Sequence, residues 1–283
     1  MTSTSYLLVR EDQDRSSYAL MSDADPTRML SCITLPAGAQ RSAVEVTLQR
    51  MAGRDPGTGI STTLRGDPDA LGRAAGRLAA ALGVPVAILD IAHDAGRAAW
   101  AAPSAAGTLV VIPEAALIPV DSAERRRRCD AVLHLIGERD RAAVADRLGD
   151  LADRPMSGRD EAGDQIRAAA CVDALRSLAE FWTDRDAAMN EAVVIATGQF
   201  ATHLASGAVP LAALAPLAPL GRSTVLLDRA GVVAALGTEQ LDETTGAELS
   251  RATAEQLFVP AGDLLVVVDH PGVEVLVHIG EEE

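Results

Sequence analysis

Two segments of nearly unbroken apolar sequence, Val84–Ile91 and Ala192–Ala196, each run into a polar turn that contains glycine. A strand that is apolar at successive positions is covered on both faces. Both segments therefore predict central strands of an α/β sheet, and their turns lie where phosphate-handling loops are built. Between and around them the pattern changes period repeatedly.

Ser5–Val9 and Ser17–Met21 flank the polar stretch 10–16 and predict a β-hairpin; Leu30–Leu35 and Ala43–Leu48 read as further strands. The run Gly53-Arg-Asp-Pro-Gly-Thr-Gly59 breaks the pattern and suggests a boundary, with a reduced β-rich subdomain over 1–59 and an α/β domain over 60–283. Ile60–Leu64 predicts a short strand. Leu71, Ala74, Ala75, Leu78 and Leu82 then repeat at helical spacing, with Asp67 as expected N-cap, Pro68 in the first turn and Gly83 as stop. Gly72 and Gly76 beside that stripe would let the helix approach a sheet closely.

Thr108–Ile112 predicts another short strand, and 121–182 predicts an inserted helical layer. Its first helix opens on the capping-box pair Asp121 and Glu124 and closes at Gly137; the second carries Val144, Leu148 and Leu151, the third Ile166 to Trp182. A short helix is expected from Gln199 to Ala205, a strand over Thr224–Leu227, a helix capped by Asp228 and ending near Gly237, and another over Gly246–Leu257. Prolines 210, 216 and 219 exclude one regular helix over 211–220. Leu264–Val268 and Val273–Ile279, joined by Asp269-His-Pro-Gly272, predict a terminal β-hairpin that either completes this chain's own sheet or pairs with a partner.

Composition removes several classes of chemistry. All 25 basic residues are Arg, so a Walker, Schiff-base or kinase-type lysine is excluded. A formal charge of −15 with 2% aromatic residues disfavours nucleic-acid phosphates and base stacking. No charge-free apolar stretch reaches membrane-span length and the first residues do not read as a signal peptide, so a cytoplasmic location is expected. Cys32, Cys129 and Cys171 are far apart and odd in number, which suits small apolar residues rather than a disulfide or zinc framework. His203, His270 and His278 lack zinc spacing. Arg125–Arg128 sweep round a helix turn and read as a solvated face or, less simply, a docking patch.

Ile88-Leu-Asp-Ile-Ala-His-Asp94, Val193-Val-Ile-Ala-Thr-Gly-Gln199 and Leu226-Leu-Asp-Arg-Ala-Gly-Val-Val-Ala-Ala-Leu-Gly237 resemble segments of actin/hexokinase-type ATPases, most nearly the glutamate mutase-associated MutL family. The resemblance implies a mixed central sheet of ribonuclease-H/actin-like type. It marks Asp90, His93, Asp94 and Gly96 in the first turn, and Thr197, Gly198 and Gln199 in the second, as vestigial nucleotide-binding positions. Ala92, His93 and Gln199 stand where the family has glycines, and the first-half turn 10–17 contains no glycine. A Cβ at such positions hinders close backbone approach to phosphate.

Each candidate has a plain alternative. Asp90 and Asp94 are either residual metal-handling carboxylates or turn caps. His93 is a general base or an ordinary surface residue, and 197–199 a ligand turn or a simple strand-to-helix connection. No catalytic constellation and no metal set is expected, and ATP and Mg²⁺ are expected to be absent as resident cofactors. The expected function is a non-catalytic protein-binding or assembly subunit, acting with a protein partner, a basic one suiting its acidity, or as a homo-oligomer. The alternative is an ATP-dependent chaperone or reactivase subunit of a cobalamin-dependent enzyme complex, whose missing half comes from another chain.

Overall fold

A computed structural model describes residues 5–11, 15–22, 27–36, 38–55, 60, 62–67, 70–137, 140–153, 161–181, 192–198, 201, 221–269 and 272–279. The chain forms two compact units, one of Met1–Val86, Ala99–Leu109 and Asp228–Val259, the other of Ala87–Ala98, Val110–Leu227 and Pro260–Glu283.

The first unit opens with β1 (Ser5–Glu11), β2 (Arg15–Ser22) and β3 (Arg28–Pro36), an antiparallel meander that contains the expected hairpin. After α1 (Arg41–Met51) comes β4 (Thr62–Arg65), which pairs with β1 in parallel and gives the order β3-β2-β1-β4. The segment 43–48 is thus helical, not a strand. Val44, Val46 and Leu48 alternate as in a strand, but Val44 and Leu48 alone of the three are buried, on one helical face against Leu7, Val9, Tyr18 and Leu20. An Arg41–Glu45 ion pair one turn apart adds to the helix.

The helix α2 (Leu71–Leu82) ends at left-handed Gly83 as expected. Its α-helical part begins at Leu71; Ala70 before it is in a 3-10 turn and donates its amide to the Asp67 carbonyl at 2.8 Å, while Pro68 lies outside the described residues. Gly72 and Gly76 press against the backbone of 105–107, and Gly72 also meets Leu109 of the sheet strand Thr108–Ile112.

A distant part of the chain covers β4 and α2. A 3-10 helix (Val233–Gly237) packs on β1, β4 and α2, and a long helix, here α6 (Glu243–Gln256), lies along α2. The helix expected after Asp228 is only this short one, because the buried Asp228 carboxylate takes the amides of Val232 and Val233 at 3.2 and 2.9 Å in a tight loop. Arg77 holds the junction by donating to the carbonyls of Leu236, Thr238 and Leu241, the last two at 2.7 and 2.8 Å. Arg73 donates to Gly237 O at 2.7 Å and Arg251 to Ala81 O at 2.7 Å. Gly237 sits so close to the Ala70 carbonyl that any Cβ there would overlap it.

A seven-stranded sheet contains β5 (Val86–Ile91), β6 (Gly96–Ala101), β7 (Thr108–Ile112), β8 (Ala192–Thr197), β9 (Gly221–Leu227), β10 (Val259–Asp269) and β11 (Gly272–Ile279). Its order is β7-β6-β5-β8-β9-β10-β11, with β8 and β9 parallel and β10 and β11 antiparallel. β6 is an addition to the sequence reading. Read from β7, the first four strands repeat the order of the first sheet: third, second, first, fourth. That repetition, in two mixed sheets with helical crossovers, is the duplicated ribonuclease-H/actin-like architecture. The terminal hairpin completes the chain's own sheet, and β11 is its outer strand.

Between β7 and β8 lie α3 (Ser122–Ile136), α4 (Arg141–Asp153) and α5 (Glu161–Phe181). Asp121 caps α3 through the amides of Ala123 and Glu124, and Gly137 ends it at φ 68°. The arginine run divides here. Arg128 is wholly buried, donates to the carbonyls of Ala170 and Glu114 at 2.7 and 3.1 Å, and places Nε 2.7 Å from Asp173. Burial pulls its pKa down to about 10, with Asp173 opposing, so it stays charged. Cys129 and Cys171 are buried and Cys32 is partly so; all are free thiols, with Cys171 pushed up to about 12 by burial. The expectations for 199–200, 202–220 and His270 lie outside the described residues, as do those for Trp182 and the His278 side chain.

Replacing Arg77 by Ala strands three carbonyls at this junction, so stability should fall by about 2–3 kcal/mol. Chemical denaturation monitored by circular dichroism checks it. Arg77→Lys, which cannot reach all three carbonyls in one plane, should recover less than half of the loss.

Candidate functional site

The two turns singled out by sequence meet in the second unit. β5 and β8 carry their carboxyl ends to the same place, where Ile91 and Gly198 form a parallel bridge. Asp90, next to the end of β5, is 1% exposed. Gly198 packs so tightly on it that a Cβ would overlap both Asp90 Oδ1 and the Ile91 carbonyl, and its φ of 73° is one that glycine adopts freely. Gly198 is therefore required by the protein's own packing. Thr197 is fully buried beside it, and Gln199 lies outside the described residues.

The first turn is short. The Ala92 amide donates to Ala95 O at 3.0 Å, and the Ala92 carbonyl accepts from Leu117 N–H at 2.8 Å, tying the turn to the segment after β7. His93 is half-buried and Asp94 exposed at its tip. Gly96 starts β6, and a Cβ there would lie 2.6 Å from that of Ala115 and 2.9 Å from the Ala115 carbonyl, so packing dictates this glycine too.

Arg97, which the sequence reading missed, determines the electrostatics. It lies on β6, is 6% exposed, and reaches back over the turn. One guanidinium nitrogen lies 3.7 Å from Asp90 Oδ2; the fork grips Asp94 at 2.7 and 3.3 Å. Asp94 is held below the usual carboxylate range. Partial burial pushes its carboxyl upward, but hydrogen bonding to Arg97, the Arg97 charge and the backbone amides of Asp94 and Ala95 outweigh it. The only sequence signal for Arg97 was its place three residues after Asp94 and seven after Asp90, across a turn whose tightness was not apparent.

The described turn residues engage one another rather than standing open. Mg²⁺ needs carboxylate oxygens free to enter a near-octahedral shell, whereas here a fixed positive group stands between the two carboxylates. A phosphate would need turn amides, two of which already face the Asp94 carboxylate. Among the described residues no group of three or more His, Cys, Asp or Glu side chains is placed to hold a metal ion. No helix among them is long and apolar enough to cross a membrane.

No protein-family model matches the sequence, and no curated protein matches it. Among solved structures, the chain is similar to component A of (R)-2-hydroxyglutaryl-CoA dehydratase from Acidaminococcus fermentans, at 10% identity and TM-score 0.48 over 86% of this chain and 99% of that one. The activator of 2-hydroxyisocaproyl-CoA dehydratase from Clostridium difficile, solved with ADPNP, follows at 10% identity and TM-score 0.46, covering 89% and 97%. Ethanolamine utilization protein EutJ from Carboxydothermus hydrogenoformans matches at 10% identity and TM-score 0.43, covering 87% and 89%. At that level these likenesses add nothing to the strand order.

Gly198→Ala should lose about 2–4 kcal/mol, from left-handed backbone strain and overlap with Asp90. Arg97→Met should lose on the order of 3 kcal/mol by taking the guanidinium from a buried carboxylate. Both are read from urea midpoints. The Asp94 contact has a pH signature: since its folded-state pKa is depressed, its stabilisation is present above the unfolded-state value of about 4 and is lost as pH falls through the lower folded value. The stability gap between wild type and Asp94→Asn should therefore be open at pH 7 and close below about pH 4.

Proposed function

We propose that this chain is a non-catalytic protein-binding or assembly subunit built on the actin-like frame, cytoplasmic and without a resident nucleotide or Mg²⁺. One observation carries the reading: Arg97 neutralises both Asp90 and Asp94 where an active member of this fold would need open carboxylates and bare turn amides. An internal carboxylate and an internal guanidinium already satisfy each other at this spot, so an incoming triphosphate would have to break a charge-assisted pair before making contacts of its own. The net charge of −15 adds a long-range penalty for anionic ligands and favours a basic protein surface as partner.

The turns that carry the resemblance to the MutL family support a second reading, an ATP-dependent reactivase subunit for a cobalamin enzyme. Asp90, retained at the strand end against Gly198, is the observation in its favour. The two readings separate in one assay. Titration calorimetry of the chain with ATP and Mg²⁺ should give only heats of dilution, and phosphate release should stay at the buffer rate. Tight binding with turnover, abolished by Asp90→Ala in the assembled complex, would replace the first reading by the second.

A further inference from the structure

The arginine run on α3 divides into two pairs with different tasks. Arg128 points inward, to Asp173 and two carbonyls, and Arg127, more exposed, pairs with Glu124 at 2.8 Å and reaches Ser177 of α5 at 2.7 Å. Arg125 and Arg126 instead line a cavity of about 410 Å³ between α3 and α4, with Cys129, Ala145 and Leu148 supplying apolar wall. Each uses only Nε, on Pro119 O at 3.2 Å and Ser122 O at 3.3 Å. Their outer guanidinium nitrogens make no hydrogen bond among the described residues.

The acidic groups nearby are engaged elsewhere. Asp121 caps α3, although Arg126 also helps lower its carboxyl after the amides of Glu124 and Ala123. Asp130 pairs with Arg141, the third cationic lining residue, at 3.0 Å, and Asp140 accepts from the Ala143 amide at 3.1 Å. Val120 stands at the rim with 86% of its surface exposed, the most exposed large apolar side chain among the described residues. Two guanidinium forks beside an apolar floor and an apolar rim suit a peptide in which an aliphatic side chain precedes carboxylates.

We propose that this cavity docks the segment Val277-His-Ile-Gly-Glu-Glu-Glu283 of a second copy of the chain. The argument is charge complementarity: in a protein of net charge −15 this is a cationic pocket, and 281–283 is the longest acidic run in the sequence, two residues after an isoleucine. Val277–Ile279 of that segment belong to β11, the outer strand of its sheet, where they pair with Gly262–Leu264 of β10. The contact is small and is expected to be weak and salt-sensitive. It does not depend on whether the β5–β8 turns accept a nucleotide.

Fluorescence anisotropy with a labelled synthetic peptide of residues 277–283 tests it, beside sedimentation velocity of the intact chain over a concentration series. Binding should weaken at least about tenfold when Arg125 and Arg126 are both replaced by Glu, and should recover with a peptide whose three glutamates are replaced by Arg. Self-association of the wild type should rise with concentration and be lost in the double variant, with melting temperature within about 2 °C of wild type as the folding control. Equal affinity of both proteins for the peptide, or a wild type that stays monomeric while an unrelated acidic peptide binds equally well, overturns the proposal. An effect confined to a variant that also melts early is resolved by Arg125→Gln with Arg126→Gln, which must weaken binding without reversing charge.

Discussion

The contact between Gly198 and the Asp90 carboxylate fixes the centre of the seven-stranded sheet. Two strands brought together in parallel at their carboxyl ends leave room for one buried carboxylate only if the neighbouring residue has no side chain. A carboxylate that is 1% exposed must in turn be compensated, and the nearest strand supplies Arg97. Arg97 then folds back on the turn and takes Asp94 as well. From one steric constraint follow the glycine, its positive φ and the guanidinium. The result is a turn in which Arg97 lies against both carboxylates.

A different constraint governs the first unit. Its sheet stops at β4, so that short strand and one face of α2 would stand open to water. Residues 228–259 return from far along the chain to cover them, and the cover is held by buried apolar side chains such as Val233, Leu236 and Leu249 together with Arg73, Arg77 and Arg251 donating to carbonyls at element ends. Such carbonyls are the groups a helix cannot satisfy itself. The first unit is thus stabilised by a segment of high sequence separation, which a local pattern does not announce.

That difference explains what could be read from the sequence. Strands covered on both faces, such as β5 and β8, and caps with a local mechanism, such as Asp121, Gly83 and Gly137, announce themselves in a few residues. The segment 43–48 misleads because Val44, Val46 and Leu48 satisfy period two while their burial obeys the helical period. β6 is hard to see because Gly-Arg-Ala-Ala-Trp-Ala lacks the β-branched residues that mark strands. Arg97 lies on that unread strand, so the turn residues could be named while the group that controls them could not. The glycines looked like openings for a ligand; Gly96 and Gly198 are instead filled by Ala115 and Asp90.

The use of arginine links these features. Arg10, Arg97, Arg128 and Arg167 are each at most 6% exposed, so part of the chain's positive charge is spent inside, on carboxylates and carbonyls. Arginine suits that task because its planar fork keeps its charge and satisfies several acceptors at once, where a lysine would lose its proton or leave acceptors unmet. Withdrawing cations from the surface while most carboxylates remain there makes the exterior more acidic than composition alone implies. On that surface, Arg125 and Arg126 keep open guanidinium edges beside an exposed valine. Their position on the same helix turn as the buried Arg128 shows how residues of one arginine run acquire different physical roles from helical geometry.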